Sequence, residues 1–258
     1  MSTELVLVSS PTSGVTQLTL NRPEKRNALS VPLLQSMLAA LDRVEADPAQ
    51  RILLLTGSGA VFCAGLDLAE ASDPKVAHLS AELIATVLRR LVESRLITIA
   101  VVQGAALAGG AGLVSACDFA FAEGSAQIGY PEPKRGLVAA LVMTLLRRQL
   151  RERDARRLLL TGESVSGTEA AAMGLVNAAV GSEQIMPTAL RTAAQVLQGG
   201  PEAVVRTKRL FNELWPATIA ADFAKATAVH LEARGSAETR EGVAAFREKR
   251  KPAWAKNL

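Results

Sequence analysis

Three short segments of this sequence carry residues whose types and spacing could do chemistry. The first covers residues 60–68, where small residues follow an apolar run typical of a buried strand. Small residues let backbone N–H groups face a ligand, and Asp67 is placed to cap the next helix. This segment therefore predicts a loop that presents backbone donors.

The second segment covers residues 103–112 and contains four glycines, three of which precede a helix expected at residues 111–116. Without a Cβ atom, glycine lets its N–H group approach a ligand closely, and the N-terminus of the helix adds positive potential. Together with the first segment, this loop could supply a pair of N–H donors for a developing oxyanion.

The third segment covers residues 128–132 and places a single acid, Glu132, after the end of a strand and beside the rigid Pro131. Each segment alone is weak evidence, because Gly/Ala loops are more often packing devices and a lone Glu is more often a cap or a surface acid. Their joint appearance in this order and spacing is the stronger signal.

The sequence lacks the residues or motifs for several other kinds of catalytic or binding site. The two histidines, His78 and His230, lie 152 positions apart on helical stretches, where surface or half-buried positions are expected, so a metal site or a Ser-His-Asp triad is not predicted. No GxxxxGK[ST] motif occurs. Gly57-Ser58-Gly59 is too short for a dinucleotide-binding fingerprint and predicts a turn.

The composition is that of a folded protein. With 258 residues, 49% apolar and 21% charged, the chain has the apolar surface that disordered chains lack. A net charge of +4 suits an anionic ligand without identifying it, and nine aromatic residues are few for a nucleic-acid stacking platform. Two cysteines, and no signal-peptide pattern at residues 1–9, favour a cytoplasmic location.

The elements that must position these segments alternate between strand and helix, which predicts the α/β class. A hairpin at residues 5–8 and 15–20 precedes a helix that starts after Ser30, with Pro32 in its first turn. Buried strands are expected at residues 52–55, 97–102 and 119–122. Further helices are expected at residues 80–91, 137–150 and 154–160.

Residues 96–117 carry no charge and are long enough to span a bilayer. The stretch contains Gln103 and several glycines, and it divides into a β-branched run and a Gly/Ala run. A buried strand that leads through a loop into a buried helix explains this pattern better than a membrane span does.

From residue 184 onwards the pattern is almost purely helical. We therefore divide the chain near residue 195, into an α/β core at residues 1–194 and a C-terminal helical region at residues 195–258.

Ordered matches along nearly the whole chain carry a family resemblance. They lie at residues 20–23, 62–68, 109–110, 117–118, 131–132, 160–163, 174–176 and 246–251. In this order they resemble the crotonase, or enoyl-CoA hydratase/isomerase, superfamily. The resemblance implies a spiral of ββα turns with a C-terminal α-helical trimerisation region, and a homotrimer or hexamer.

The resemblance also implies an acyl-CoA thioester substrate, of which coenzyme A is a part, so that no separate cofactor is expected. The implied oxyanion donors are the backbone N–H groups of Leu66 and Gly109, and Glu132 is the implied acid/base group. Apolar surroundings would raise the pKa of Glu132 towards neutrality.

Further substrate-binding residues follow from the same resemblance. Lys25 and Arg26 lie where relatives approach the CoA nucleotide, and Phe246 and Lys249 match a C-terminal segment that reaches CoA, sometimes from a neighbouring subunit. Tyr130 borders Glu132 and is expected to line the pocket. The other implied contacts belong to the two loops: Ala64, Gly65, Asp67, Leu68, Gly110 and Gly112.

One position departs from the family pattern. Two-carboxylate hydratases of the family carry a Glu three positions after the oxyanion glycine, and this sequence has Gly112 there. With Glu132 alone, either hydration of an enoyl-CoA or a shift of its double bond remains open, as do the acyl group and any replacement for the missing carboxylate. We expect Gly112→Glu to raise hydration if the loop tolerates it.

The alternative function is a non-catalytic crotonase-like protein that binds CoA esters or RNA. Six arginines between residues 147 and 157 could contact phosphates, but a solvated helix face paired with Glu152 and Asp154 is expected, without a nucleic-acid partner. Intact oxyanion loops together with Glu132 favour the enzyme.

Overall fold

The computed structural model describes residues 4–67, 69–70, 74–214 and 218–253. The strands are β1 (Val6–Thr12), β2 (Val15–Leu20), β3 (Ile52–Gly57), β4 (Ile97–Val102), β5 (Ala105–Leu107), β6 (Phe119–Glu123), β7 (Gln127–Gly129), β8 (Ser164–Ser166) and β9 (Ala178–Val180). The α-helices are α1 (Val31–Ala46), α2 (Pro74–Glu93), α3 (Gly109–Ala116), α4 (Ala140–Gln149), α5 (Glu152–Thr161), α6 (Gly167–Met173), α7 (Ile185–Leu197), α8 (Pro201–Glu213), α9 (Ile219–Arg234) and α10 (Ala237–Arg247).

The strands form two sheets, and the chain steps between them. The larger sheet has the order β1-β2-β3-β4-β6-β9 and is parallel except for the β1–β2 hairpin, while the smaller sheet has the order β5-β7-β8. Two successive turns of the spiral each contribute one strand to the larger sheet, one strand to the smaller sheet and then an α-helix: first β4, β5 and α3, then β6, β7 and α4. This confirms the predicted α/β class and the spiral of ββα turns.

Local sequence signals explain where α1 begins and which face it buries. The Ser30 side chain accepts a hydrogen bond from the Leu33 N–H group at 3.4 Å, which confirms the predicted cap. The buried residues of α1 recur at helical spacing and pack into the main core.

The central strands β3 and β4 are buried on both faces, which is typical of a parallel sheet covered on each side. On one face, Leu54 and Ile99 pack in a cluster with Ile185 and Ala189 of α7. On the other face, Leu53 belongs to the larger core with α1, α2 and α3. The uncharged residues 96–117 divide into β4, β5 and α3, and no described helix is long and apolar enough to cross a membrane.

Helix α3 begins two residues earlier than the sequence pattern predicts. Its first turn contains Gly109 and Gly110, and glycine is a poor helix former. Close packing outweighs that preference, because a Cβ atom on Gly110 would lie 2.4 Å from the Cys63 carbonyl oxygen. Ala108, which precedes the helix, has a positive φ of 49°.

The C-terminal helices pack back onto the core. Helix α7 runs through the boundary placed between residues 194 and 195, and Ala193 is buried against the large sheet. Helix α9 packs against α2 and α4. Thr239 of α10 donates a hydrogen bond to the Gly136 carbonyl oxygen at 2.7 Å. The two-part division stays a prediction.

Five of the six arginines between residues 147 and 157, all except Arg153, form ion pairs among the described residues. Arg151 contacts Asp154 at 2.8 Å, and Arg156 contacts Glu152 at 2.7 Å. Asp222 of α9 pairs with Arg148 at 3.1 Å. The expected charge-paired helix face is therefore confirmed.

Candidate active site

The two glycine-containing loops lie side by side and are joined through their backbones. The Cys63 N–H group donates to the Ala105 carbonyl oxygen at 3.0 Å, and the Leu107 N–H group donates to the Cys63 carbonyl oxygen at 2.9 Å. Gly65 has a φ of +93°, and a Cβ atom there would lie 2.7 Å from the Leu107 carbonyl oxygen. Glycine is therefore required for this close approach.

The N–H groups of Leu66 and Gly109 are among the backbone donors of these loops that have no backbone acceptor within the described residues. Leu29 bonds to the backbone on either side of Leu66, through the Gly65 carbonyl oxygen at 2.8 Å and the Asp67 N–H group at 3.1 Å. Gly109 is the first residue of α3, where an N–H group has no acceptor within the helix. Within the described residues, neither N–H group donates a backbone hydrogen bond.

Glu132 follows β7 and begins a short 3-10 helix, Glu132–Arg135, with Pro131 before it. Its side chain is buried, and Oε2 has no hydrogen-bond partner among the described residues. Burial raises the pKa of Glu132 to about 7, although its own backbone N–H group and Arg135 act in the opposite direction. The expected rise in pKa is confirmed.

These groups meet at a cleft of about 750 Å³. The residues named from the sequence that line it are Lys25, Arg26, Ala64, Leu66, Asp67, Gly109, Glu132 and Phe246. A second cavity of about 20 Å³ shares four lining residues with the cleft, namely Leu66, Gly109, Glu132 and His230. The two backbone donors and the carboxyl group therefore face a common space.

Asp67 has a different role from the expected helix cap. Its Oδ2 atom pairs with Arg22 Nη1 at 2.6 Å, and its Oδ1 atom accepts from the Ala69 N–H group at 3.0 Å. Asp67 therefore caps a local turn at Ala69, because α2 begins only at Pro74. Leu68 lies outside the described residues.

Several expected substrate contacts lie away from the cleft lining. Tyr130 is completely buried, and its hydroxyl group shares a hydrogen bond of 3.0 Å with Ser115 Oγ, so it packs in the core instead of lining the pocket. Gly65 and Gly110 lie where the two loops pack against each other, since a Cβ atom would lie 2.7 Å from the Leu107 carbonyl oxygen at Gly65 and 2.4 Å from the Cys63 carbonyl oxygen at Gly110. Lys249 is exposed beyond the end of α10 and does not border the cleft.

Gly112 is enclosed by apolar side chains. A Cβ atom there would lie 2.8 Å from Val142 Cγ1 and 3.4 Å from Leu88 Cδ1. The condition attached to Gly112→Glu, that the loop tolerates the larger side chain, is therefore met only if Val142 of α4 moves, and the effect on hydration stays a prediction.

The cleft residues that the sequence analysis did not propose include Arg135, Arg234 and His230. The Arg135 guanidinium group stacks on the Phe246 ring, with 4.5 Å to the ring centre. His230 is buried instead of at the surface or half-buried, which corrects the expectation for this residue. Its spacing from the buried Phe223 and Ala226 places it on the inward face of α9, a signal that the sequence did contain.

The arrangement has a definite chemical capacity. Two backbone donors can stabilise a negatively charged oxygen, and a carboxyl group with a pKa of about 7 can take up and return a proton near neutral pH. No group of three or more His, Cys, Asp or Glu side chains in the described part of the chain is arranged to hold a metal ion.

Comparisons with known proteins agree on one family. The model of the family "Enoyl-CoA hydratase/isomerase" matches residues 10–257. A protein of Thermus thermophilus, provisionally named an enoyl-CoA hydratase, is 39% identical over 240 residues, 90% of this chain and 94% of that protein. The mevalonyl-coenzyme A hydratase of Aspergillus fumigatus is 35% identical over 253 residues, 96% of this chain and 94% of that protein.

Solved structures give the same result. The crystal structure of an enoyl-CoA hydratase from Mycobacterium avium superposes with a TM-score of 0.84 at 33% sequence identity. The superposition covers 97% of this chain and 98% of that chain. The fold described above is thus shared nearly from end to end.

Proposed function

The chain belongs to the enoyl-CoA hydratase/isomerase family, and from this premise we propose that it forms the enolate of an acyl-CoA thioester, with Glu132 as the acid/base group. The reaction is hydration of an enoyl-CoA or a shift of its double bond. Both reactions place negative charge on the thioester oxygen and move a proton at C2.

One observation carries this proposal. The N–H groups of Leu66 and Gly109 and the buried carboxyl group of Glu132 border the same cleft. Neither N–H group has an acceptor among the described backbone groups, and Glu132 Oε2 has no partner there either. Buried polar groups are normally hydrogen-bonded, so polar groups that converge on a cleft without partners indicate a binding function.

The backbone donors act on the thioester carbonyl group. With the carbonyl oxygen between Leu66 and Gly109, the donors stabilise the charge that develops as the enolate forms. Donors fixed in a site shielded from water act most strongly in the transition state, and the loss of one such donor typically costs about 2.7–4 kcal/mol.

Glu132 moves the proton. At a pKa of about 7, the carboxylate and the carboxylic acid are both well populated near neutral pH. The carboxylate can take a proton from a substrate carbon or from water, and the resulting acid can return it. In isomerisation the same group serves both carbons, so a second carboxylate is not needed.

The cleft also suits the nucleotide part of coenzyme A. Lys25, Arg26 and Arg135 line it, and such cations attract phosphate groups. Since coenzyme A is part of the substrate, the proposed chemistry requires no separate cofactor.

A panel of CoA esters tests the proposal directly. The wild-type protein and Glu132→Gln are incubated with crotonyl-CoA, 3-enoyl-CoA, glutaconyl-CoA and mevalonyl-CoA. The products are separated by liquid chromatography, which resolves isomers of equal mass, and identified by mass spectrometry. We expect a change of 18 Da or an isomerised product for at least one ester with the wild type only. Conversion of no ester, or equal conversion by both proteins, would refute the proposal.

A further inference from the structure

His230 brings a second buried polar group to the reaction site. It lies on α9, and its side chain borders both the main cleft and the 20 Å³ cavity, together with Glu132. Its Nε2 atom has no hydrogen-bond partner among the described residues, as is also true of Glu132 Oε2. Glu132 and His230 therefore line the same small cavity, and each carries a buried polar atom without a partner among the described residues.

The contacts of the ring define what Nε2 offers. Its Nδ1 atom lies 3.4 Å from the Val138 carbonyl oxygen, at the edge of hydrogen-bonding distance. Since a carbonyl oxygen can only accept, Nδ1 carries the proton and Nε2 presents a lone pair when the ring is neutral. Burial, followed by the charge of Arg234, lowers the pKa of His230 to about 4, which keeps the ring neutral near pH 7.

The small cavity matches one water molecule. Its volume of about 20 Å³ exceeds the roughly 10–15 Å³ that a buried water requires. Apart from Leu66, Gly109, Glu132 and His230, its lining consists of alanine and larger aliphatic residues. Glu132 and His230 therefore supply the polar side chains of this cavity, one from the Glu132 helix and one from α9.

We propose that His230 Nε2 accepts a hydrogen bond from the water that adds to the enoyl-CoA double bond and holds this water beside Glu132. His230 thereby supplies the second polar contact that a carboxylate at position 112 would give, and it directs the single-carboxylate site towards hydration. This inference rests on the proposed function and narrows it.

The reaction balances with the groups present. The Glu132 carboxylate takes one proton from water as the water oxygen bonds to C3. The electron pair of the C2–C3 double bond moves into the enolate, whose oxygen lies between the Leu66 and Gly109 donors. Protonated Glu132 then gives its proton to C2, which restores the thioester carbonyl and the carboxylate. His230 stays neutral throughout and accepts the second O–H bond of the water.

The packing around Gly112 explains why the contact comes from α9. The side chains nearest to a Cβ atom on Gly112 are Val142 and Leu88, which also line the small cavity. Val142 therefore occupies the path that a side chain from α3 would follow. His230 reaches the same cavity from α9, which packs against α4.

Measuring two reactions at the same site distinguishes a role of His230 in holding the water from a role in folding alone. Hydration of crotonyl-CoA needs the water contact, whereas exchange of the C2 proton of butyryl-CoA in D₂O needs only Glu132 and the two backbone donors. We expect His230→Leu to lower hydration about 100-fold and to change exchange less than about threefold. His230→Gln, which retains a polar atom, should recover hydration at least about tenfold relative to His230→Leu.

Controls and contrary outcomes are defined by the same assays. Glu202→Gln changes an exposed polar side chain of α8 that does not line the cleft, and it should leave the ratio of hydration to exchange unchanged. The role of His230 would be overturned if both His230 variants lost hydration and exchange equally, or if neither lost hydration. Either result would leave the proposed function of Glu132 and the backbone donors intact. A wild type inactive in both assays and on the CoA ester panel would overturn the proposed function, and this inference with it.

Discussion

Val142 of α4 closes the space in front of Gly112 of α3, because a Cβ atom on Gly112 would lie 2.8 Å from Val142 Cγ1. The residue sizes tolerated at the two positions therefore depend on each other, and a carboxylate at position 112 requires a smaller residue at position 142.

The first prediction concerns this pair. Gly112→Glu alone should not raise crotonyl-CoA hydration and should lower the melting temperature, since overpacking a core typically costs about 1–3 kcal/mol. Gly112→Glu combined with Val142→Ala should restore part of the melting temperature and hydrate faster than Val142→Ala alone. Calorimetry and initial rates measure both effects. Faster hydration by the single Gly112→Glu variant would show that the packing is not limiting.

The second prediction concerns the pH dependence of turnover. If the Glu132 carboxylate starts the reaction, kcat/KM should rise with pH, with a midpoint near the Glu132 pKa of about 7. Glu132→Gln should lower kcat by roughly 10²–10⁴-fold and leave CoA-ester affinity within a few fold. Glu202→Gln, at an exposed position of α8, serves as the matched control. A profile that is flat between pH 6 and 8 contradicts this role.

The third prediction concerns stability. Folding raises the Glu132 pKa from 4.5 to about 7, so the folded protein binds this proton more tightly than the unfolded chain does. The contribution of the proton to the free energy of unfolding is therefore lost as the pH rises from 4.5 through 7. Compared with the wild type, Glu132→Gln should gain up to about 3 kcal/mol between pH 4.5 and pH 8. His230 titrates in both proteins, so its contribution largely cancels in the difference. Urea unfolding of both proteins at pH 4.5 and pH 8 measures the difference in their free energies of unfolding. A difference that is the same at both pH values would argue against the raised pKa of Glu132.

The fourth prediction concerns the two backbone donors. Gly65→Ala should push the first loop away from the second, because its Cβ atom would lie 2.7 Å from the Leu107 carbonyl oxygen and 3.5 Å from the Gly109 nitrogen. We expect kcat to fall by roughly 10²–10³-fold, as on the loss of one donor. Gly181→Ala is the control, since a Cβ atom there meets nothing within 4 Å. If Gly65→Ala is as active as Gly181→Ala, the reaction does not depend strictly on the spacing between the two loops that carry the backbone donors.

The fifth prediction concerns assembly. Helix α8 has no buried residue, and Phe211 and Leu214 are 71% and 76% exposed, so this face is suited to burial against another copy. Light scattering at micromolar concentration should give three or six times 27.1 kDa. Phe211→Asp should reduce this mass, whereas Phe211→Leu should not. A monomeric wild type would contradict the assembly implied by the resemblance.

The sequence by itself determined the longer strands and helices of the core, because burial in a sheet or on one face of a helix leaves a local pattern, whereas β5, β8, α6 and β9 were not predicted. It gave the Ser30 cap, the strands β3 and β4, and the position of Glu132 after a strand. The first turn of α3 escaped this pattern. Its glycines are poor helix formers, and the close approach of Gly110 to Cys63 is a contact that the local pattern does not reveal.

The tertiary structure alone decided which groups face the cleft. Tyr130 adjoins Glu132 in the chain, yet it packs inward against Ser115, whereas His230 arrives from 98 positions away and shares both cavities with Glu132. Local spacing can place a residue on the buried face of its own helix, but which cavity that face meets depends on how α9 packs against α2 and α4. The blocked space at Gly112 has the same origin, because the blocking atom belongs to a residue thirty positions away.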